Sequence, residues 1–171
     1  MNRLRFRVLG IDTTSGSDIF RDDGFVDDVD THGRRVYREI VGSLKGYKNH
    51  VRVSEGNVGL MIPFISNIRK RAIICYKDMK NPVSDILVRA HEETHALHYL
   101  GRLHLLERRL RGVGFTGSLK QYTDMDQCSE REEEFIANIG GLFALKRRGS
   151  PIPIPSTIGE FEEIYMKLRR P

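Results

Sequence analysis

Residues 91 to 95 of this 171-residue chain read His-Glu-Glu-Thr-His, two histidines four apart with a glutamate directly after the first. On an α-helix, positions i and i+4 lie one turn apart on the same face. Both imidazoles can then ligate one ion, through nitrogens at about 2.0–2.1 Å. The glutamate lies beside that face, within reach of a water on the ion. Zinc lowers the pKa of such a water to about 7, so Glu92 can take its proton and deliver it to a leaving amine. This is the chemistry of the His-Glu-x-x-His pattern, with His91 and His95 as metal ligands and Glu92 as general base. Glu93, the other acid of the motif, has no role in it.

That chemistry requires a helix, and the flanking sequence supplies one. Asn81 followed by Pro82 suits an N-cap and first helical residue. Ile86, Leu87, Val88, Ala90, Ala96 and Leu97 surround the motif with apolar side chains that would bury it. The helix is predicted to run from Pro82, with Gly101 as a bend or end and a second piece to about Arg111. His98 is seven residues beyond His91, about 10 Å along the axis, too far for all three histidines to share an ion. The metzincin extension would need glycine at 98 and histidine at 101; the chain has His98 and Gly101 instead. His98 and His104 are therefore expected to be packing or surface residues.

The third ligand must come from elsewhere, and "SEREEEFIANIGGLFALK" offers it on a second predicted helix, 129 to 146. Ser129 and Glu132 fit a capping box. Phe135, Ile136, Ile139, Leu142 and Phe143 mark the buried side. Glu134, Ala137, Asn138 and Gly141 form a neighbouring stripe of small or polar residues at i, i+3, i+4 and i+7. Small residues let another helix approach closely, and a carboxylate at 134 would point at it. Glu130 and Glu133 are expected to face water, favoured there by the helix dipole.

Upstream, residues 3 to 9 alternate arginine with Leu4, Phe6 and Val8 and predict a half-buried strand. Residues 26 to 45 hold one helix, or a loop and a helix. "HVRVS" and "VGLMIPFI" are strand candidates, Pro63 placing the second at a sheet edge, and "RAIICYK" is the clearest strand. Residues 112 to 127 read as irregular, 147 to 160 as extended surface chain, and "EFEEIYMKLRRP" as a short amphipathic helix. The expected fold class is α+β in one domain spanning 1–171: 1–80 mostly strands with one helix, 81–111 the active-site helix region, 129–146 the glutamate helix, 147–171 an extended loop and final helix.

Hydrophobic content of 39%, charged content of 30% and a net charge of +5 fit a globular chain. The charge is uneven: seven aspartates and one arginine lie between Asp12 and Asp30, whereas Arg102 to Arg111 holds four arginines and one glutamate. Cys75 and Cys128 form neither a disulfide framework nor a Cys-x-x-Cys pair. The N-terminus lacks the continuous apolar segment of a signal peptide, and no stretch has the length of a membrane span. A cytoplasmic location is the expectation.

His91-Glu92-x-x-His95, followed on a later helix by Glu134-x-x-Ala137-Asn138, resembles the gluzincin arrangement of zincin metallopeptidases. The strand "AIICY" before the motif, the run "EFIANIGGLFAL" and the proline-bearing exit most resemble the ImmA/IrrE type, with small minigluzincins as neighbours. The resemblance covers about residues 50 to 155. It implies a zincin-like fold: a small twisted sheet whose edge strand packs on the active-site helix, plus a C-terminal helical part carrying the glutamate ligand. It implies Zn2+ held by His91, His95 and Glu134, with Glu92 as base and Asn138 fixing the orientation of a histidine. A protein or peptide substrate would lie extended along an edge strand within 58 to 76. Such enzymes usually stabilise the oxyanion with a Tyr or His, for which Tyr165, Tyr122 and His104 are unranked candidates. The alternative is a zinc-bearing regulatory or nucleic-acid-binding module with little catalysis, its basic stretch 102–111 meeting DNA or an acidic partner. A third option is a latent enzyme, its cleft covered by the acidic 12–30 segment or the last helix.

Overall fold

The computed structural model describes residues 6–12, 59–66, 69–77 and 81–168. Three strands form an antiparallel sheet: β1 (Phe6–Asp12), β2 (Gly59–Ser66) and β3 (Arg69–Lys77), in the order β1-β3-β2. β3 is the continuous apolar run, and Ala72, Ile73 and Ile74 are all buried, as a strand covered on both faces requires. Among the described strands, Pro63 stands on an edge strand, which suits its missing N–H. β1 runs three residues past the predicted end at residue 9. Its pairing with β3 carries the ladder through Gly10 and Ile11 to Asp12, opposite Arg71, so backbone pairing sets its end where side-chain alternation had stopped. The predicted strand at "HVRVS", the helix at 26–45 and the acidic segment beyond Asp12 lie outside the described residues.

Four helices follow: α1 (Pro82–Tyr99), α2 (Leu103–Arg111), α3 (Glu130–Lys146) and α4 (Ile158–Leu168). Asn81 caps α1, its Oδ1 accepting from the Val83 and Ser84 amides at 2.9 and 3.4 Å. Gly101, at φ +68°, ends it: the Gly101 amide donates to the His98 carbonyl and the Arg102 amide to that of Leu97. This pair of bonds requires a left-handed residue that glycine adopts without strain, and it turns the chain into α2. The predicted capping box of Ser129 and Glu132 opens α3. The irregular stretch 112–127 contains two single 3-10 turns, Lys120–Tyr122 and Met125–Gln127, and is pinned by buried Phe115, Leu119 and Tyr122.

α1 packs between the sheet and α3. Ala72 and Ile74 of β3, Ala96 and Leu97 of α1, Leu106 and Leu110 of α2, and Phe135, Ile136, Ile139 and Phe143 of α3 share one core. α1 and α3 approach closely at two glycines. A Cβ on Gly140 would overlap Thr94 Oγ1, and one on Gly141 would lie 2.9 Å from Leu87 Cδ1. This close approach brings the first turns of α3 alongside the motif. α4 leans on α3 through Phe161, whose ring meets Phe135 edge-on at 6.0 Å.

Candidate metal centre

His91 and His95 project from α1 with their Nε2 atoms 3.2 Å apart. The Glu134 carboxylate faces both: Oε2 is 3.5 Å from His91 Nε2 and Oε1 is 3.3 Å from His95 Nε2. Donors sharing one tetrahedral ion at about 2.1 Å stand about 3.4 Å from one another. The observed spacings bracket that value. Each ring faces a different carboxylate oxygen, and with one atom per residue the three donors lie within 4.8 Å. The soft terminal torsion of a glutamate lets one oxygen serve both contacts. The three residues can therefore hold a metal ion. The group is open on one side: the side chains of His91 and His95 are 21% and 12% exposed, that of Glu134 52%, which leaves room for a further ligand.

The electrostatics suit that use. Burial, reinforced by the neighbouring His95, lowers the His91 pKa to about 4 against the pull of Glu134 and a hydrogen bond to Asn138. Its lone pair is thus available at neutral pH. The Glu134 carboxyl is lowered, chiefly by its hydrogen bond with His95, and is ionised. Asn138 bonds to both helices. Its Nδ2 donates to the Glu134 carbonyl at 2.7 Å, which leaves Oδ1 as the acceptor for an imidazole N–H. One side chain ties a candidate ligand on α1 to the backbone of the candidate ligand on α3.

Glu92 is buried beside this group, and burial raises its carboxyl to about 7, with His95 opposing and Glu134 reinforcing. Gly59, the first residue of β2, lies against it. A Cβ there would overlap the carboxylate, at 2.6 Å from Glu92 Cγ and 2.7 Å from Cδ. Gly59→Ala is expected to push the carboxylate out of place while metal uptake by the His91, His95 and Glu134 group, measured by titration on the same sample, stays unchanged. The raised carboxyl also sets a stability prediction for the chelated chain. A carboxylic acid bound more tightly in the fold stabilises below pH 4.5 and loses that contribution as pH rises to about 7. Relative to Glu92→Gln, the wild type should lose up to about 3 kcal/mol between those limits, read from urea midpoints at pH 5 and pH 8.

Several expectations sharpen. Glu93 is 1% exposed, and its carboxylate takes the Arg89 Nε at 2.6 Å, so its role is a buried ion pair on the same helix. Glu130 faces solvent as expected. Glu133 does not: it is half-buried and burial raises its carboxyl. It lies in one row with Ala137 and Gly140, so the face α3 turns to α1 is wider than the 134-137-138-141 stripe. Gly140 and Gly59 were missed by sequence reasoning; a glycine opening an edge strand is a general mark of close approach. His98 is buried with Cys128, Sγ to Nε2 at 3.8 Å, and lies outside the group that can hold a metal ion. Of the oxyanion candidates, Tyr122 is buried in the core, His104 is exposed on α2, and Tyr165 stacks on Phe161 of α4. Among the described residues no helix is long and apolar enough to cross a membrane. No family model, curated protein or solved structure matches the chain.

Proposed function

We propose that this chain is a zinc-dependent peptidase of the gluzincin type, with a zincin-like fold. The observation that carries the proposal is the convergence of His91, His95 and Glu134, with contacts of 3.2–3.5 Å, beside the buried Glu92. Two imidazoles and one carboxylate, with an open side, are the donor set of catalytic zinc sites. When bound, zinc supplies Lewis acidity, polarising a carbonyl and making water a nucleophile near neutral pH. Glu92 takes the proton of the attacking water and returns it to the departing amine; a carboxyl poised near 7 does both at physiological pH. Asn138 holds His91 in the tautomer whose Nε2 lone pair faces the shared point. β2 packs on α1 and begins at Glu92, which makes it, rather than the central β3, the strand along which an extended peptide would lie.

Metal exchange tests this. Hydrolysis of a mixed-sequence quenched-fluorescence peptide library should vanish on treatment with 1,10-phenanthroline and return with added zinc. Activity that survives complete chelation contradicts the proposal.

A second reading rests on α2 and the segment that follows it. His104, Arg108, Arg111, Lys120 and Thr123 border a cavity of about 260 Å3, and its one carboxylate, Glu107, already accepts from Arg111 and from the Leu119 amide. This groove favours an acidic partner or the phosphates of DNA. On that reading, binding to a mixed-sequence duplex should fall steeply between 50 mM and 200 mM salt and disappear in Arg108→Ala/Lys120→Ala. Salt-independent or absent binding removes it.

A further inference from the structure

Pro63 interrupts the edge of β2 that no described strand pairs. The strand pairs with β3 without a break from Gly59 to Ser66, Pro63 standing opposite Ala72. A proline keeps its place in such a ladder only where its nitrogen points away from the partner strand. Antiparallel residues alternate in direction, so the backbone groups of Gly59, Met61, Pro63 and Ile65 face the other edge. Among the described residues no strand pairs with that edge, and Pro63 itself is exposed. The edge thus offers N–H and C=O at Gly59 and Met61, but at Pro63 only a carbonyl, with the ring filling the place of the missing donor.

From this we infer that Pro63 limits the length of peptide the edge recognises: main-chain pairing reaches from Gly59 to Met61 and stops at Pro63. The inference rests on the peptidase proposal above. Gly59 touches the Glu92 carboxylate, so pairing starts where the chemistry is. At about 3.4 Å per residue, Met61 lies about 7 Å and Pro63 about 14 Å further along. A substrate therefore gains main-chain contacts over roughly three residues on this side of the scissile bond. Past Met61 the Pro63 ring breaks the pairing before Ile65 is reached, so recognition suits short peptides or a flexible loop better than a long extended strand. Pro63 also bars another sheet from adding to this edge, and that guarding role makes no prediction about ligand length.

Capped alanine peptides of one, three and six residues ending in a hydroxamate separate the two roles, because hydroxamate grips zinc and alanine reports the backbone alone. Their affinities would be measured by calorimetry on the zinc-loaded full chain, with acetohydroxamate as the peptide-free reference. The wild type should bind the three-residue compound more tightly than the one-residue compound and the six-residue compound no more tightly than the three. In Pro63→Ala the six-residue compound alone should gain about 2- to 12-fold, the worth of one restored hydrogen bond, and Pro63→Val should reproduce the gain. Affinity that rises with length in the wild type, or stays flat in both variants, overturns the inference while leaving the peptidase proposal standing. New self-association of Pro63→Ala with a flat length series overturns it as well and assigns Pro63 to edge protection alone. Failure of acetohydroxamate and every peptide to bind the zinc-loaded chain overturns the peptidase proposal, and this inference with it.

Discussion

Glu92→Gln should leave zinc bound and reduce hydrolysis by about 10²–10⁴-fold, the usual contribution of a positioned general base. Glutamine keeps the shape of the side chain and cannot carry the proton. The site gives this substitution a narrow meaning. Glu92 is 7% exposed, Gly59 closes one side of it, and the His91, His95 and Glu134 group stands on another. Burial has brought its carboxyl to about 7, where neither protonation state is costly to reach. A glutamine variant with activity within a few-fold of wild type would remove Glu92 from the chemistry. Loss of zinc along with activity would instead make Glu92 a ligand.

Gly140→Ala should destabilise the chain by about 1–3 kcal/mol, the usual range for overpacking, and weaken zinc binding. The sign is the informative part. A glycine inside a helix normally costs about 0.5–1 kcal/mol relative to alanine, so a glycine without a packing reason would give a more stable variant. At Gly140 the added carbon would overlap Thr94 Oγ1 and lie 2.8 Å from Thr94 Cβ. Thr94 is fully buried, with its hydroxyl donating to the Ala90 carbonyl at 2.7 Å, and has nowhere to go. α3 must then back away from α1, carrying Glu134 from the histidines. Adding Thr94→Ala should recover part of both losses, a coupling expected only between residues in contact. Urea denaturation and zinc titration check the single and double variants; a stabilised Gly140→Ala with unchanged zinc affinity would show that the helix approach does not set the site.

Most of this site was legible in the sequence because it rests on helices, where spacing fixes direction. Four residues place His91 and His95 on one face, seven separate His98 from it, and the small-residue stripe of α3 singles out Glu134 among four glutamates. Caps were equally readable, since Asn81-Pro82 and Ser129 with Glu132 act within one turn. Contacts between elements were harder. Nothing local tells that Gly59 will meet Glu92, because residues so far apart in the chain meet only when β2 docks on α1. Glu93 shows the same limit from inside the motif: its partner Arg89 is one turn away, yet its burial depends on the packing around α1. The end of β1 was misplaced because alternation reports side chains, whereas β3 determines how far the backbone pairs.

Zinc content after exhaustive dialysis reports whether α1 and α3 together make one metal site. About one zinc per wild-type chain is expected, as for three protein ligands with an open position. Near-complete loss is expected in His95→Ala and in Glu134→Ala, with the fold retained by circular dichroism. A wild-type chain that takes up no zinc, or a Glu134→Ala chain that keeps all of it, would contradict a site shared by the two helices.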